Sequence, residues 1–356
     1  MLDSGAFSVW TQGVSIDLEK YIAFCEEHPS CSYYVNLDVI PGVPGKKKTL
    51  TVDAVEDSCQ RGWDNYQRMI ERLPLKKVIP VFHQGDNVKW LERYLEFGTP
   101  YIGISPANDR RTTGHGDTNH TCAFKRLQDK TITTKLQWMR SLKKFLFDGA
   151  GRPVVKTHGF AVTSYHLMKF WEWYSVDSAS WKLSGAWGSM YLPMFRRGEW
   201  LFDVQPRIVP VSAISKGFAD TATRKFQHEI ERWLEECDVP WGSYVLKTVG
   251  EEYKLDKATE EIWYDKKKRT VLVPEEKGVV TAVEERLRVN AEFIKRANRV
   301  LPIRHLYFAG ALMPYPLEYQ LGRRLLSYFH TSGKSGSEKL ERHESLVRKH
   351  KRKKSK

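Results

Sequence analysis

The sequence predicts an α/β protein with a parallel sheet, in the form of a TIM-like (β/α) barrel with a C-terminal α+β elaboration and a disordered basic tail. Three observations lead there. Between residues 32 and 181, short apolar runs rich in β-branched and aromatic residues alternate with helical patterns, as βαβ units require. No G-x-G-x-x-G follows any of those runs, so a dinucleotide-binding sheet is not supported. A chain of 356 residues accommodates a single barrel of about 250 residues with extensions.

The elements follow in order. SYYVNLDVI (32–40) reads as a strand ending in a Pro-Gly turn, and VEDSCQRGWDNYQRMIERL (55–73) has helical spacing. KKVIPVFH (76–83) is a short apolar run, followed by the helical NVKWLERYLEFG (87–98) and the strand YIGIS (101–105). TITTKLQWMRSLKKFLFDG (131–149) is amphipathic and stops at a glycine, a common helix terminator. RPVVKTHGFAV (152–162) is a strand, SYHLMKFWEW (164–173) a helix and YSVDSASW (174–181) a strand.

Beyond residue 182 the alternation weakens. FADTATRKFQHEIERWLEECD (218–238) and AVEERLRVNAEFIKRANRV (282–300) read as helices, EIWYDKKKRTVLVPEEKG (261–278) as a hairpin with a basic turn, and HLYFAGAL (305–312) as a last strand. The expected domains are a barrel core over 1–212, a helical and hairpin elaboration over 213–332 that completes or decorates the barrel, and a basic tail over 333–356.

Composition narrows the function classes. Apolar residues make up 41% and charged residues 28%, an ordinary globular balance. No apolar run approaches membrane-spanning length, and MLDSGAFSVW lacks the basic and apolar regions of a signal peptide. The five scattered cysteines then read as reduced thiols of a cytoplasmic protein. The net charge is +14, and the last ten residues, VRKHKRKKSK, hold seven Lys or Arg and no acid. Such a tail attracts polyanions through counterion release. The body is basic too, which points to a nucleic-acid partner.

In a parallel barrel, reactive groups stand at the C-terminal ends of the strands. Those ends hold Asp3 in LDSGAFS, Asp38 in NLDVIPG, His83 and Gln84 in VFHQGD, Gly103 and Ser105 in YIGIS, His158 and Gly159 in KTHGF, and Asp177 in SVDSASW. Any one Asp alone reads as a helix or turn cap. Three at strand ends exceed what packing needs, because buried carboxylates are costly. A pair of carboxylates is the minimum equipment for glycosidic chemistry, one attacking the anomeric carbon and the other moving protons. An amide, a further carboxylate and glycine backbone at Gly5, Gly103 and Gly159 suit a flat, hydrogen-bonding heterocycle.

These segments, in this order, resemble a family. DSGAFS resembles the DSGGFQ-type segment of the queuine/archaeosine tRNA-guanine transglycosylases. VFHQG is similar to their V-Q-G strand, YIGIS to their G-G-L strand and HGFAVTS to their M-G-V-G segment, while SVDSASW lies where their nucleophilic Asp lies. The set DSGAFS, NLDVIPG, HGF and SVDSASW is closer still to the phage-type DNA 7-deazaguanine transglycosylases of that superfamily. The resemblance covers roughly residues 1–190. It implies Asp177 as nucleophile at C1′ of a guanosine nucleotide and Asp3 as general acid/base. It implies Asp38 and Gln84 as hydrogen-bonding partners of the base, backbone contacts around Gly103 and Gly159, Phe7 stacking on the ring, and Ser4, Gly5 and His158 on the substrate side. No cofactor is implied, since one N-glycosidic bond replaces another. The partners implied are DNA and a free 7-deazaguanine (preQ0-like) base, with the target base flipped from the helix and the exchange masking a phage genome from restriction. The same exchange on tRNA, and a non-catalytic nucleic-acid-binding barrel, stay open.

Two differences from the tRNA enzymes accompany this resemblance. Their C-x-C-x-x-C zinc cluster has no counterpart among these cysteines, which fits the DNA branch and implies no metal. Their barrel has a strand before the DSGAFS segment, where this sequence opens at Met1-Leu2-Asp3; either the start is mis-assigned or truncated, or another segment, with HLYFAGAL a candidate, completes the barrel. GHGDTNHTC (114–122), with His115, His120 and Cys122, reads as a polar surface loop. The Trp-rich stretch 171–200 reads mostly as core, and the clusters Lys46–Lys48, Arg196–Arg197, Lys266–Arg269 and Arg323–Arg324 as solvated faces, some tracking phosphates.

Overall fold

The computed structural model describes residues 1–6, 10, 12–42, 51–106, 131–162, 164–212, 225–248, 264–265, 270–301, 303 and 305–308. The expected Phe7, the loop 114–122, the basic clusters at 46–48, 266–269 and 323–324, and the tail lie outside these residues. The chain forms two compact units, Met1–Ser180 with Arg296–Ala309, and Trp181–Lys295 with Gly310–Lys356. The expected boundary at 212 falls inside the second unit.

In the first unit, the order is α1 (Leu18–Glu27), β1 (Tyr34–Val35), α2 (Val52–Arg72), β2 (Val78–Ile79), β3 (Val81–His83), α3 (Val88–Glu96), β4 (Tyr101–Ser105), α4 (Thr131–Leu146), β5 (Lys156–Gly159), α5 (Tyr165–Phe170) and β6 (Ser175–Ser178). The helices begin where short polar side chains accept an orphan N–H: Asp17 from Lys20, Thr51 from Ala54 and Asn87 from Lys89. On α2, Val55, Cys59, Trp63, Tyr66 and Met69 are buried, a helical stripe turned to the core.

Five strands form one sheet in the order β14–β6–β5–β4–β3, where β14 is His305–Phe308. Every pairing in it is parallel. HLYFAGAL therefore supplies a strand, added beside β6. β1 and β2 pair separately, also parallel, and Leu2 bridges to Tyr34 in the same sense. Pro80 divides β2 from β3: it has no N–H to donate, although its carbonyl accepts from Gly103 N at 2.8 Å. The backbone thus carries a parallel series from Leu2 through β1, β2–β3, β4, β5 and β6 to β14. The expected closed barrel is not seen, since among the described residues no ladder joins β14 back to the Leu2 segment.

Two expected strands are shorter than the apolar runs. SYYVNLDVI contributes Tyr34 and Val35 alone, because Asn36 turns its amide to Gly62 O (2.9 Å) and Asp38 N bonds back to Asn36 O. RPVVKTHGFAV is strand from Lys156 to Gly159, since Asp148 accepts from Ala150 N and Arg152 N in a turn before it. The helix layer covers one face of the sheet: Phe82 stacks on Trp138 of α4, and Trp171 donates to Thr157 Oγ1. Trp171 and Trp173 are core, as the sequence led one to expect, whereas Trp187 is about half exposed.

The second unit is antiparallel where it is stranded. After α6 (Ser180–Ala186), β7 (Ser189–Leu192) pairs with β10 (Arg207–Pro210), and β8 (Met194–Arg196) forms a hairpin with β9 (Glu199–Leu201). Beyond α7 (Gln227–Cys237), β11 (Ser243–Thr248), β12 (Tyr264–Asp265) and β13 (Thr270–Glu276) make a sheet in the order β11–β13–β12. The hairpin expected over 261–278 is β12 and β13. α8 (Val283–Val300) is anchored by Arg286, fully buried, donating to Gly185 O (2.7 Å) and Val279 O (2.9 Å). Asn290 accepts from Tyr191 N and donates to Trp181 O. No helix among the described residues is long and apolar enough to cross a membrane.

Gly103 shows how tightly the first unit's sheet is covered. A Cβ built there would lie 2.3 Å from Phe160 Cε2 and 3.2 Å from Pro80 O. Gly103→Ala is therefore expected to destabilise by about 1–3 kcal/mol through overpacking, read as a lowered urea midpoint. Phe160→Leu in the same chain should recover much of that loss, as contacting residues couple. Equal losses with and without Phe160→Leu would contradict the contact.

Candidate functional site

The parallel register decides which side chains share a face. Val81 and His83 lie opposite Gly103 and Ser105, Gly103 opposite His158, His158 opposite Ser175, and Asp177 two residues further along β6. Alternation along a strand then puts Val81, His83, Tyr101, Gly103, Ser105, His158, Ser175 and Asp177 on one face, and Phe82, Ile102, Ile104, Thr157 and Val176 on the face under the helices.

Asp177 ends a chain of polar contacts that runs out of the core. Tyr101 Oη is hydrogen-bonded to Ser175 Oγ, Ser175 Oγ lies 2.5 Å from His158 Nδ1, and His158 Nε2 stands 3.7 Å from Asp177 Oδ1. Ser175 and His158 are fully buried, whereas the Asp177 side chain is 25% exposed. Exposure decides which end can act. The Ser–His–Asp order resembles a hydrolase triad, yet its serine has no access to a substrate; the group within reach is the carboxylate. Asp177 Oδ1 also accepts the Ala161 N–H at 2.8 Å. Ala161 has φ +52°, a left-handed conformation that costs an alanine of order 1 kcal/mol.

Asp38 is positioned from below. Asn65 of α2 donates to Leu37 O at 2.7 Å, and Asn36 reaches Gly62 O, so the segment leaving β1 is tied to α2. The Asp38 carboxylate lies 2.9 Å from His83 Nε2, both side chains being mostly buried. His83 itself is set by a turn: its N–H donates to Asp86 Oδ2 (2.8 Å), Asp86 N returns to His83 O (3.1 Å), and Gly85 takes φ +115°.

Asp3 follows the Leu2 bridge. The residue keeps access to water, but its carboxyl is crowded by protein. Loss of hydration, with the negative charges of Asp38 and then Asp177, pushes its pKa from 3.8 up to about 6 against the pull of the Gly5 and Ser4 backbone N–H groups. The three acids thus share one electrostatic neighbourhood. Ser4 is buried, with Oγ accepting from Ala6 N at 3.4 Å, and Gly5 takes φ +71° in the same turn.

The remaining expected residues have mixed placements. Gln84 continues the ladder, its N–H donating to Ser105 O at 2.9 Å, and its side-chain amide is buried with neither Nε2 nor Oε1 hydrogen-bonded. His83 Nδ1, next to it in sequence, is likewise buried and unpartnered. Unmet buried polar atoms are costly, and these three fall within one dipeptide beside the acids' strand ends. Gly103 lies under the Phe160 ring, and a Cβ at Gly159 would press on Val162 and Trp173, so close packing accounts for both glycines. The sequence reading passed over Tyr101, Ser175, Phe160 and the Ala161 N–H. The signal for Ser175 was available: a polar residue inside an apolar strand, on the same parity as Asp177.

Among the described residues, no group of three or more His, Cys, Asp or Glu is placed to hold a metal. The array can hold one exposed carboxylate ready to attack and a second one able to carry a proton near neutral pH. It can also offer buried hydrogen-bonding atoms to a polar ring. No protein-family model, no curated protein and no solved structure matches this chain.

Two measurements test this geometry. Raising an acid's pKa on folding means that the folded chain holds a proton the unfolded chain has released. Asp3 therefore supports the fold fully below pH about 4, and that support is lost as pH rises towards 6. Asp3→Asn should flatten the fall in thermal midpoint across that window; an unchanged slope would remove Asp3 from the acid cluster. Gln84→Met, which removes the unmet amide at similar volume, is expected to raise stability by about 1–2 kcal/mol, seen as a higher denaturant midpoint. A lower midpoint would mean that the amide is already satisfied.

Proposed function

We propose that this chain is a transglycosylase that exchanges guanine in DNA for a 7-deazaguanine base through a covalent glycosyl–Asp177 intermediate. What supports the reading most is that Asp3, whose carboxyl loses hydration, also feels the charges of Asp38 and Asp177, and together these raise its pKa to about 6; three acids are then within electrostatic reach where glycosidic chemistry needs at least two. The ordered likeness of DSGAFS, NLDVIPG, VFHQG, YIGIS, HGFAVTS and SVDSASW to the DNA 7-deazaguanine transglycosylases adds to it. In this reading the parallel series closes as a TIM-like barrel, and the protein works in the cytoplasm, that of the host if a phage encodes it.

The steps follow from the side chains. An Asp177 carboxylate oxygen attacks C1′ of the flipped deoxyguanosine. The C1′–N9 bond breaks with its electron pair on the base, and guanine leaves with a proton from Asp3. The incoming 7-deazaguanine gives its N9 proton to the Asp3 carboxylate, and N9 then displaces Asp177 from C1′. Two inversions retain the β-configuration, and no oxidant or reductant enters. A group titrating near 6 suits both proton transfers near neutral pH. Asp38, held by His83, and the buried amide of Gln84 would meet the base's donor and acceptor edge. Ala161 N–H and His158 would keep Asp177 oriented for its attack.

Incubation of DNA and tRNA separately with a labelled 7-deazaguanine tests the reading. Label is expected in DNA, along with a protein–DNA adduct that survives a denaturing gel and disappears in Asp177→Asn. Label in tRNA alone would move the activity to the tRNA branch. Binding of nucleic acid without adduct or label would leave a non-catalytic barrel.

A further inference from the structure

The hairpin β8–β9 is built as an arm with a charged tip. Its register is Met194–Leu201, Phe195–Trp200 and Arg196–Glu199. The two-residue turn Arg197–Gly198 has φ +53° and +87°, the mirror-image turn whose twist suits a tight hairpin. A two-stranded ribbon is marginal alone, and among the described residues this one pairs with no further strand. Its root is held by aromatic contacts instead. Phe195 and Trp200 meet at 4.7 Å, Trp200 lies 5.6 Å from the buried Trp233, its indole N–H donates to Glu236, and the Arg232 guanidinium stacks 4.3 Å over Phe195.

The tip differs from the rest of that arm. Arg196 and Arg197 are exposed, and among the described residues neither has a carboxylate within ion-pair distance; Glu199, opposite Arg196, makes no ion pair with it. On α2, by contrast, Arg61, Arg68 and Arg72 are all paired with acids. Two unpaired guanidiniums on a rigidly rooted ribbon match the phosphates of a nucleic-acid duplex. The major groove of B-DNA admits a two-stranded ribbon, while the deep, narrow major groove of A-form RNA does not. We propose that the β8–β9 hairpin is a duplex-DNA contact, with Arg196 and Arg197 on backbone phosphates. The proposal requires a DNA partner but no base exchange, so it stands or falls apart from the chemistry of Asp177.

The test is equilibrium binding of the full chain to a fluorescent B-form DNA duplex across a salt series, in an Asp177→Asn background so that no turnover intervenes. The variant Arg196→Gln/Arg197→Asn keeps a residue tolerant of positive φ in the turn. It is expected to reduce the slope of log affinity against log salt by about 2, roughly 0.9 per phosphate. Equivalently, the affinity lost between 50 and 200 mM salt should shrink by about tenfold. Glu199→Gln, which removes the tip's one acid without touching the turn, should raise affinity by about two- to threefold, in line with a modest surface charge effect. An unchanged slope in the double variant, or no gain in Glu199→Gln, would overturn the proposal. So would equal losses with duplex RNA or polyglutamate, which would make the tip a general polyanion contact.

Discussion

Asp3 carries a carboxyl that has lost hydration and that the charges of Asp38 and Asp177 also reach, and the described contacts support these three acids unequally. Asp177 takes a backbone N–H from Ala161 and stands near His158. Asp38 is held against His83. Asp3, bonded to the neighbouring Ser4 and Gly5 N–H groups, holds its proton more tightly, first through lost hydration and then through the charges of Asp38 and Asp177. Local support thus differs among three chemically identical side chains, and at Asp3 it leaves the proton more tightly held.

The fold sets this up by register. Because paired residues on parallel strands share a face, polar residues at Tyr101, His158 and Ser175 line up a hydrogen-bonded string that ends beside Asp177. The opposite parity, Ile102, Ile104, Thr157 and Val176, stays under the helices. A one-residue slip would exchange the two faces. The tight covers at Gly103 and Gly159, where no side chain fits, fix the sheet against such a slip.

Much of this was legible in the sequence. The alternation of apolar runs and helical patterns gives the parallel series because each run is long enough to show its type, and the acids stand out at the ends of those runs. HLYFAGAL was readable as a strand for the same reason. What stayed hidden depends on contacts between distant residues. The Asp38–His83 pair spans 45 residues and the Tyr101–Ser175 bond 74, and no local period encodes either. β1 is shorter than its apolar run because Asp38 N turns back to Asn36 O. The closed barrel was inferred from the number of alternating units, but closure depends on the first and last strands meeting, which composition does not specify.

Ala161 has a consequence of a different kind. Its backbone is twisted into a shape that alanine dislikes, and the hydrogen bond to Asp177 is what rewards the twist. The Asp177 carboxylate is therefore a fastener for the corner after β5. Chains that lose the acid lose the clasp with it, so drift at position 177 would carry a structural penalty of its own. A glycine at position 161 would be the natural companion of such a loss.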